Sequence, residues 1–218
     1  MPSTRYQKIN AHHYRHIWTV GDIHGDYQLL QSRLHQLSFC PENDVFISVG
    51  DNIDRGPESL NVLRLLNQPW FISVKGNHEA MALDAFETGD GNMWLASGGD
   101  WFFDLNDSEQ QEAIDLLLKF HHLPHIIEIT NDNIKYIIAH ADYPGSEYLF
   151  GKEIAESELL WPVDRVQKSL NSELQKINGA DFFIFGHMMF DNIQTFANQI
   201  YIDTGSPKSG RLSFYKIK

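Results

Sequence analysis

The sequence predicts a mixed α/β fold built in layers, and three observations carry that prediction. Apolar runs at residues 17–20, 45–49 and 70–74 each end in a glycine-bounded polar turn, and each is followed by apolar residues at helical spacing. The run Val45-Phe46-Ile47-Ser48-Val49 is β-branched and aromatic with almost no charge, as a strand buried on both faces requires. From Pro124 the pattern changes, because Ile126-Ile127-Glu128-Ile129 and Tyr136-Ile137-Ile138 flank Asn131-Asp132-Asn133 as a β-hairpin.

The first 18 residues form a polar leader in which His12, His13 and His16 are expected at the surface. The strand at 17–20 enters Gly21-Asp22-Ile23-His24-Gly25, and Leu29, Leu30, Leu34 and Leu37 then mark a helix. The strand at 45–49 runs into Gly50-Asp51-Asn52-Ile53-Asp54-Arg55-Gly56, which sets two carboxylates and a guanidinium between two glycines. Pro57 suits the first turn of a helix carrying Leu60, Leu63 and Leu66. The strand at 70–74 ends in Gly76-Asn77-His78-Glu79, and residues 81–86 read as helical. Residues 89–103, with Gly91, Gly98, Gly99, Trp94 and Trp101, read as an aromatic-packed surface excursion. Ser108 with Gln111 offers a capping box for a helix to about Phe120. The hairpin delivers Ala139-His140-Ala141-Asp142-Tyr143-Pro144. A loop through Trp161, a helix at 166–177 and a strand at 182–185 lead to Gly186-His187, and short strands at 193–196, 200–203 and 212–217 follow. Residues 1–218 are expected to form one domain without repeats or linkers.

With 42% hydrophobic residues in 218, the chain can bury a substantial core. Its 29 acidic and 17 basic residues give a formal charge of −12, which argues against sequence-independent nucleic-acid binding and against anionic membrane surfaces. A phosphate-handling site in such a chain needs strong local positive charge, and bound metal dications are the most economical source. Cys40 is the single cysteine, so no internal disulfide is possible. Neither a signal peptide nor a run approaching the ~18 apolar residues of a membrane span is visible, and a cytoplasmic location is expected.

The strand ends carry Asp22 and His24, Asp51 and Asp54, Asn77 and His78, His140, and His187. Each histidine alone reads as a surface or core residue; their equivalent positions at strand ends reverse that reading. Carboxylate, amide oxygen and imidazole without thiolate suit Mn, Fe or Zn, and one shared carboxylate can bridge two ions ~3.5–4 Å apart. Other phosphate and hydrolase chemistries fail on the residues. A cysteine nucleophile would need an arginine six residues on, where Phe46 stands; Asp203-Thr204-Gly205-Ser206 occurs once, whereas an aspartic dyad needs two carboxylates; and Arg211 and Leu212 occupy the Lys and Ser/Thr positions of a phosphate loop.

The segments GDIHG, GDNIDRG and GNHE, in this order and spacing, resemble the signature of the metallophosphoesterases that include Ser/Thr protein phosphatases. The resemblance extends through HADYP and FGH to YIDTG, and is nearest to the bacteriophage lambda and bacterial type. It implies two packed β-sheets flanked by helices, with the site at the sheet edge. It also implies that Asp22 and His24 hold one divalent ion, that Asn77, His140 and His187 hold a second, and that Asp51 bridges them, with manganese the expected metal. Water held by the ions would attack phosphorus in line, His78 would protonate the leaving oxygen under the orientation of Asp54, and Arg55 would grip the phosphate. The implied partner is a phosphoprotein, and no oligomeric state follows.

Two alternatives accompany the resemblance. Dinucleoside polyphosphate hydrolases share the metal ligands but typically lack the counterpart of Asp54 and end the third motif in Asp, where this chain has Glu79. A non-catalytic binding protein of the same fold is the other, because the family's phosphate-binding arginine two residues after Trp161 is Val163 here. Arg165 is the nearest substitute as a substrate-binding residue; the expectation is that it lies at the surface and leaves the phosphate without that ligand.

Overall fold

The computed structural model describes residues 4–218. Its strands, in chain order, are β1 (Tyr6–Asn10), β2 (His16–Val20), β3 (Asp44–Ser48), β4 (Phe71–Ser73), β5 (Ile126–Asn131), β6 (Ile134–Ile138), β7 (Phe182–Phe185), β8 (Gln194–Phe196), β9 (Gln199–Tyr201) and β10 (Phe214–Lys216). The helices are α1 (Tyr27–Gln36), α2 (Ser59–Arg64), α3 (Asn77–Thr88), α4 (Asn92–Ala96), α5 (Asp107–Leu117), α6 (Ser157–Leu160) and α7 (Asp164–Leu170). The strands form a four-stranded sheet in the order β10-β2-β3-β4 and a six-stranded sheet in the order β1-β5-β6-β7-β9-β8.

Strand alternation explains how the sheets stack. In β3, Val45 and Ile47 enter an apolar layer shared with Ile127, Ile129, Ile138 and Ile184 of the other sheet, while Phe46 between them packs with Leu30, Leu34 and Val62 of α1 and α2. In β7, Ile184 faces the shared layer, whereas Phe183 and Phe185 pack with Leu159, Leu160 and Val166 of α6 and α7. Two sheets therefore lie face to face with helices on both outer sides, the arrangement that the resemblance implied. In the first sheet β2, β3 and β4 run parallel, and in the second β6, β7 and β9 run parallel, so within each sheet the carboxyl ends share one edge.

The structure corrects the sequence reading in several places. The leader contains β1, an edge strand pairing parallel with β5, which only Ile9 betrays as a buried residue. The helix expected at 166–177 is α7 and ends at Leu170, because Ser172 turns into the left-handed region (φ 67°) and the Ile177 N–H is donated to Asn198 Oδ1 instead. The capping box of α5 is Asn106 with Glu109, not Ser108 with Gln111: Asn106 Oδ1 accepts from Ser108 N and Glu109 N, and Glu109 Oε2 accepts from Asn106 N. His16 is half-buried beside Asp44 (3.4 Å), while His12 and His13 are exposed. The hairpin forms where expected, with Asp132 and Asn133 both at positive φ (48° and 65°), as a two-residue turn between right-twisted strands demands.

Helix α3 begins at Asn77, several residues before the expected start, and this brings Glu79 into its first turn. The Glu79 carboxylate is fully buried and accepts the Asp51 N–H (2.8 Å), the Asn52 N–H (2.7 Å) and the Gly76 N–H (2.8 Å). It thereby ties the turn after β3 to the turn after β4. A Cβ at Gly76 would collide with the Asp51 carboxylate, so only glycine permits this approach. Glu79→Ala should leave three buried amides without acceptors and lower unfolding free energy by roughly 3–5 kcal/mol; Glu79→Gln, with one acceptor oxygen, should lie between. Urea denaturation midpoints measure this, and a loss below about 1 kcal/mol in Glu79→Ala would contradict the tie.

Candidate active site

Five strands deliver polar side chains to one place. Asp22 and His24 follow β2, Asp51 follows β3, Asn77 and His78 follow β4, His140 follows β6 and His187 follows β7. The turns interlock through backbone: Ile23 N and His24 N both donate to Asp51 O (3.0 and 2.9 Å), and Gly25 N donates to Asn52 O (2.9 Å). The two sheets are joined at the same edge, because the His140 ring bonds to Val49 O (2.9 Å) and His187 N donates to the Asp22 carboxylate (3.1 Å). His24, Asp51, Asp54, Arg55 and His187 all have φ between 46° and 73°, a region costing a non-glycine residue about 1–3 kcal/mol. Five such residues in one cluster mark a backbone shaped for side-chain placement.

The ring hydrogen bonds fix where lone pairs point. The Nδ1–H groups of His24 and His140 are donated to the carbonyls of Ile53 and Val49 (both 2.9 Å), so each neutral ring has its bare nitrogen at Nε2. His140 Nε2 lies 2.8 Å from Asn77 Oδ1 and 3.4 Å from Asp51 Oδ1, and His187 Nδ1 lies 3.1 Å from the same Asn77 oxygen. His24 Nε2 faces Arg55 Nη1 at 2.8 Å, and the other arm of the guanidinium, Nη2, donates to His78 Nε2 at 2.8 Å. His78 Nδ1 donates to Asp54 Oδ2 (2.6 Å).

Ligand atoms of His24, Asp51 and His78 lie within 4.8 Å of one another, and so do those of Asp51, His140 and His187. Asp51 belongs to both groups. The first group contains His78 in place of Asp22, which the sequence reading had put there; the Asp22 carboxyl is instead felt electrostatically by Asp51 and Asp203.

Electrostatics supports the same picture. Burial lowers His24 to about 3 and His187 to about 4, and lowers His140 as well, so these rings are held as neutral donors of lone pairs. Burial also opposes ionisation of Asp51, but His140, His78 and His24 outweigh it and hold its carboxyl well below the usual range. Burial together with Asp203 and Asp51 pushes Asp22 far up, and burial raises Asp203 to about 6. Buried carboxyl groups that raise one another, facing bare imidazole nitrogens and an amide oxygen, are a donor set that divalent cations fit. The Arg55 guanidinium donating into the His24 and His78 lone pairs is a stand-in cation at this site.

Four residues sit differently from the sequence reading. Arg165 is neither a surface residue nor a free phosphate ligand. It is 8% exposed, and its guanidinium donates to Asp142 Oδ1 (2.8 Å) and to the carbonyls of Tyr143 (3.0 Å) and Gly145 (2.8 Å), committed to bracing the loop after His140. Trp94 and Trp101 are buried and donate to Asp54, so residues 89–103 are not merely a surface excursion. Asp203, which the sequence reading considered only as half of an aspartic dyad, lies close enough to raise Asp22; its place two residues beyond β9, a strand parallel to β6 and β7, was the signal.

Residues 15–190 match the family model for calcineurin-like phosphoesterases. The chain is 93% identical over 218 residues to serine/threonine-protein phosphatase 2 of Escherichia coli (strain K12), covering 100% of both chains. It is 42% identical over 217 residues to serine/threonine-protein phosphatase 1 of Salmonella typhimurium (strain LT2), covering 100% of this chain and 99% of that protein. A solved structure provisionally described as a diadenosine tetraphosphatase superposes with a TM-score of 0.71 at 23% identity, covering 98% of this chain and 94% of that one, a likeness of fold.

Cation binding should therefore be visible as stability. At a hundredfold excess over its dissociation constant, one Mn²⁺ per chain should add about 2.7 kcal/mol, a rise in Tm of roughly 5–10 °C over a chelated, verified metal-free sample. Asp51→Asn should lose most of this gain and Asp22→Asn part of it. Metal analysis finding two tightly bound ions in Asp51→Asn would contradict the shared position of Asp51.

Proposed function

The chain belongs to the calcineurin-like phosphoesterase family, whose members use divalent metal ions, and from that premise we propose that this phosphoesterase removes phosphate from serine and threonine side chains of phosphoproteins. The observation that carries the reading is the His78–Asp54 pair standing beside a carboxylate, Asp51, common to two ligand groups. Identity of 93% over the full chain to a protein named as a serine/threonine phosphatase supports the same substrate class. The proposal takes residues 1–218 as one catalytic domain and a cytoplasmic location. No helix among the described residues is long and apolar enough to cross a membrane.

In this reading Asp22, His24 and Asp51 would hold one cation, and Asp51, Asn77, His140 and His187 the other, a mixed oxygen and nitrogen set without thiolate that suits Mn²⁺. When bound, such a pair supplies charge for the phosphoryl oxygens and lowers the pKa of water. The chain's own residues supply the rest. Burial disfavours the His78 imidazolium, but the charges of Asp51 and Asp54 and the hydrogen bond to Asp54 outweigh it and raise its pKa, which suits a ring that gives a proton from Nε2 to a leaving serine or threonine oxygen. Asp54 keeps Nδ1–H engaged and so fixes which nitrogen faces the substrate. Arg55 is exposed at the site mouth, and its planar fork matches two phosphate oxygens.

A metal-reconstituted comparison of a phosphoserine peptide with diadenosine tetraphosphate tests the substrate class: faster turnover of the peptide is expected, and strong preference for the nucleotide would overturn the proposal. His78→Asn should keep its metals and lose ~10²–10⁴ in kcat on phosphoserine, the usual worth of general acid catalysis, but much less on p-nitrophenyl phosphate, whose phenolate leaves unaided. Equal losses on both would remove His78 as the acid.

A further inference from the structure

Asp54 is fully buried, and three donors surround its carboxylate. His78 Nδ1 lies 2.6 Å from Oδ2, Trp101 Nε1 lies 2.8 Å from Oδ1, and Trp94 Nε1 lies 2.9 Å from Oδ1 and 3.1 Å from Oδ2. An indole nitrogen can only donate, so both rings require acceptor lone pairs of the Asp54 carboxyl group. A proton on Oδ1 would face two N–H groups with nothing to accept it.

The chain goes to some length to bring two indoles to one oxygen. Trp94 lies on α4 and Trp101 on the 3-10 turn Gly99–Asp104. A Cβ at Gly99, between them, would stand 2.6 Å from the Trp94 ring, so glycine is what lets the two elements close on Asp54. The same segment accepts the Arg55 N–H at Gly98 O (3.2 Å). The Asp54 backbone is itself held at φ 73°, with its N–H donated to Ser59 Oγ (2.9 Å). The indoles are the only groups besides His78 in hydrogen-bond contact with the Asp54 carboxylate among the described residues.

We propose that Trp94 and Trp101 are positioning residues for the His78 imidazole: their two N–H donors hold the Asp54 carboxylate so that Oδ2 is aimed at His78 Nδ1 and Nε2 is turned to the substrate. This rests on the reading of His78 as proton donor. It differs from a merely structural role in one respect. A structural role would weaken folding or all substrates alike, whereas a role through Asp54 touches only substrates that need a proton.

The test uses the metal-loaded enzyme with Trp94→Phe and Trp101→Phe, which keep an aromatic ring and remove the N–H. Each should lower kcat on a phosphoserine peptide about tenfold, as the loss of one hydrogen bond to a charged group implies, with KM and metal content unchanged and p-nitrophenyl phosphate turnover within about twofold. In an Asp54→Asn background, Trp101→Phe should cost less than about twofold more, because its effect passes through Asp54. Equal losses on both substrates, or an undiminished loss in the Asp54→Asn background, would overturn the proposal. If His78→Asn also lacks the substrate split, the acid reading fails; if His78→Asn shows it and the indole variants do not, this proposal alone fails. Should a Phe variant not fold, ¹⁵N-labelled wild type and Asp54→Asn decide: two indole N–H resonances that move upfield on losing the carboxylate support it, and resonances that stay in place overturn it.

Discussion

A single buried carboxylate, Glu79, holds the site's frame. It lies on the first turn of α3, yet two of its three backbone bonds go to the turn after β3, so the polypeptide that carries Asp51 and the polypeptide that carries Asn77 and His78 cannot move independently. Burial and the nearby charge of Asp51 push its carboxyl up to about 7, against the three amides that favour the anion. That opposition makes Glu79 costly as a structural element. It is tolerated because a neutral side chain with one acceptor could not serve three amides. The neighbouring left-handed residues are held in the same way: Asp54 by Ser59 Oγ and Arg55 by Gly98 O.

The second constraint is charge. A cluster of buried carboxyl groups with imidazoles held neutral is unfavourable as a resting arrangement, and its remedy is a cation with open coordination. The side chains already answer that need in part, because the Arg55 guanidinium reaches both His24 and His78. The frame set by Glu79 and the charge set by Asp51 are therefore linked. The turn that Glu79 clamps is the turn whose carboxylate belongs to both ligand groups.

Much of this was legible in the sequence because the informative residues sit in short turns after apolar strands. Continuous apolar runs gave β2, β3, β6 and β7, and the polar residues just beyond them, Asp22, His24, Asp51, His140 and His187, are brought to one edge of each sheet by parallel strand direction. What escaped reading depends on contacts distant in sequence. Trp94 and Trp101 look like packing residues until Asp54, 40 and 47 positions away, is placed beneath them. Arg165 looks like a surface arginine or a phosphate ligand until the carbonyls of Tyr143 and Gly145 take its donors. β1 was missed because an edge strand that buries one residue, Ile9, leaves no alternation to detect.

Arg55 joins the two constraints to substrate binding. The chain carries a formal charge of −12, which at long range repels a phosphate dianion, but screening over about 8 Å at physiological ionic strength leaves the decision to groups near the site. The guanidinium lies on an exposed residue whose backbone N–H is donated to Gly98 O, and its two arms reach His24 and His78. Dications held by the carboxylates and imidazoles would compete with the guanidinium for the His24 lone pair and would repel it by like charge. The hydrogen bonds from Arg55 to His24 and His78 thus set a positive charge where the bare imidazole nitrogens of both rings converge, beside the shared carboxylate of Asp51.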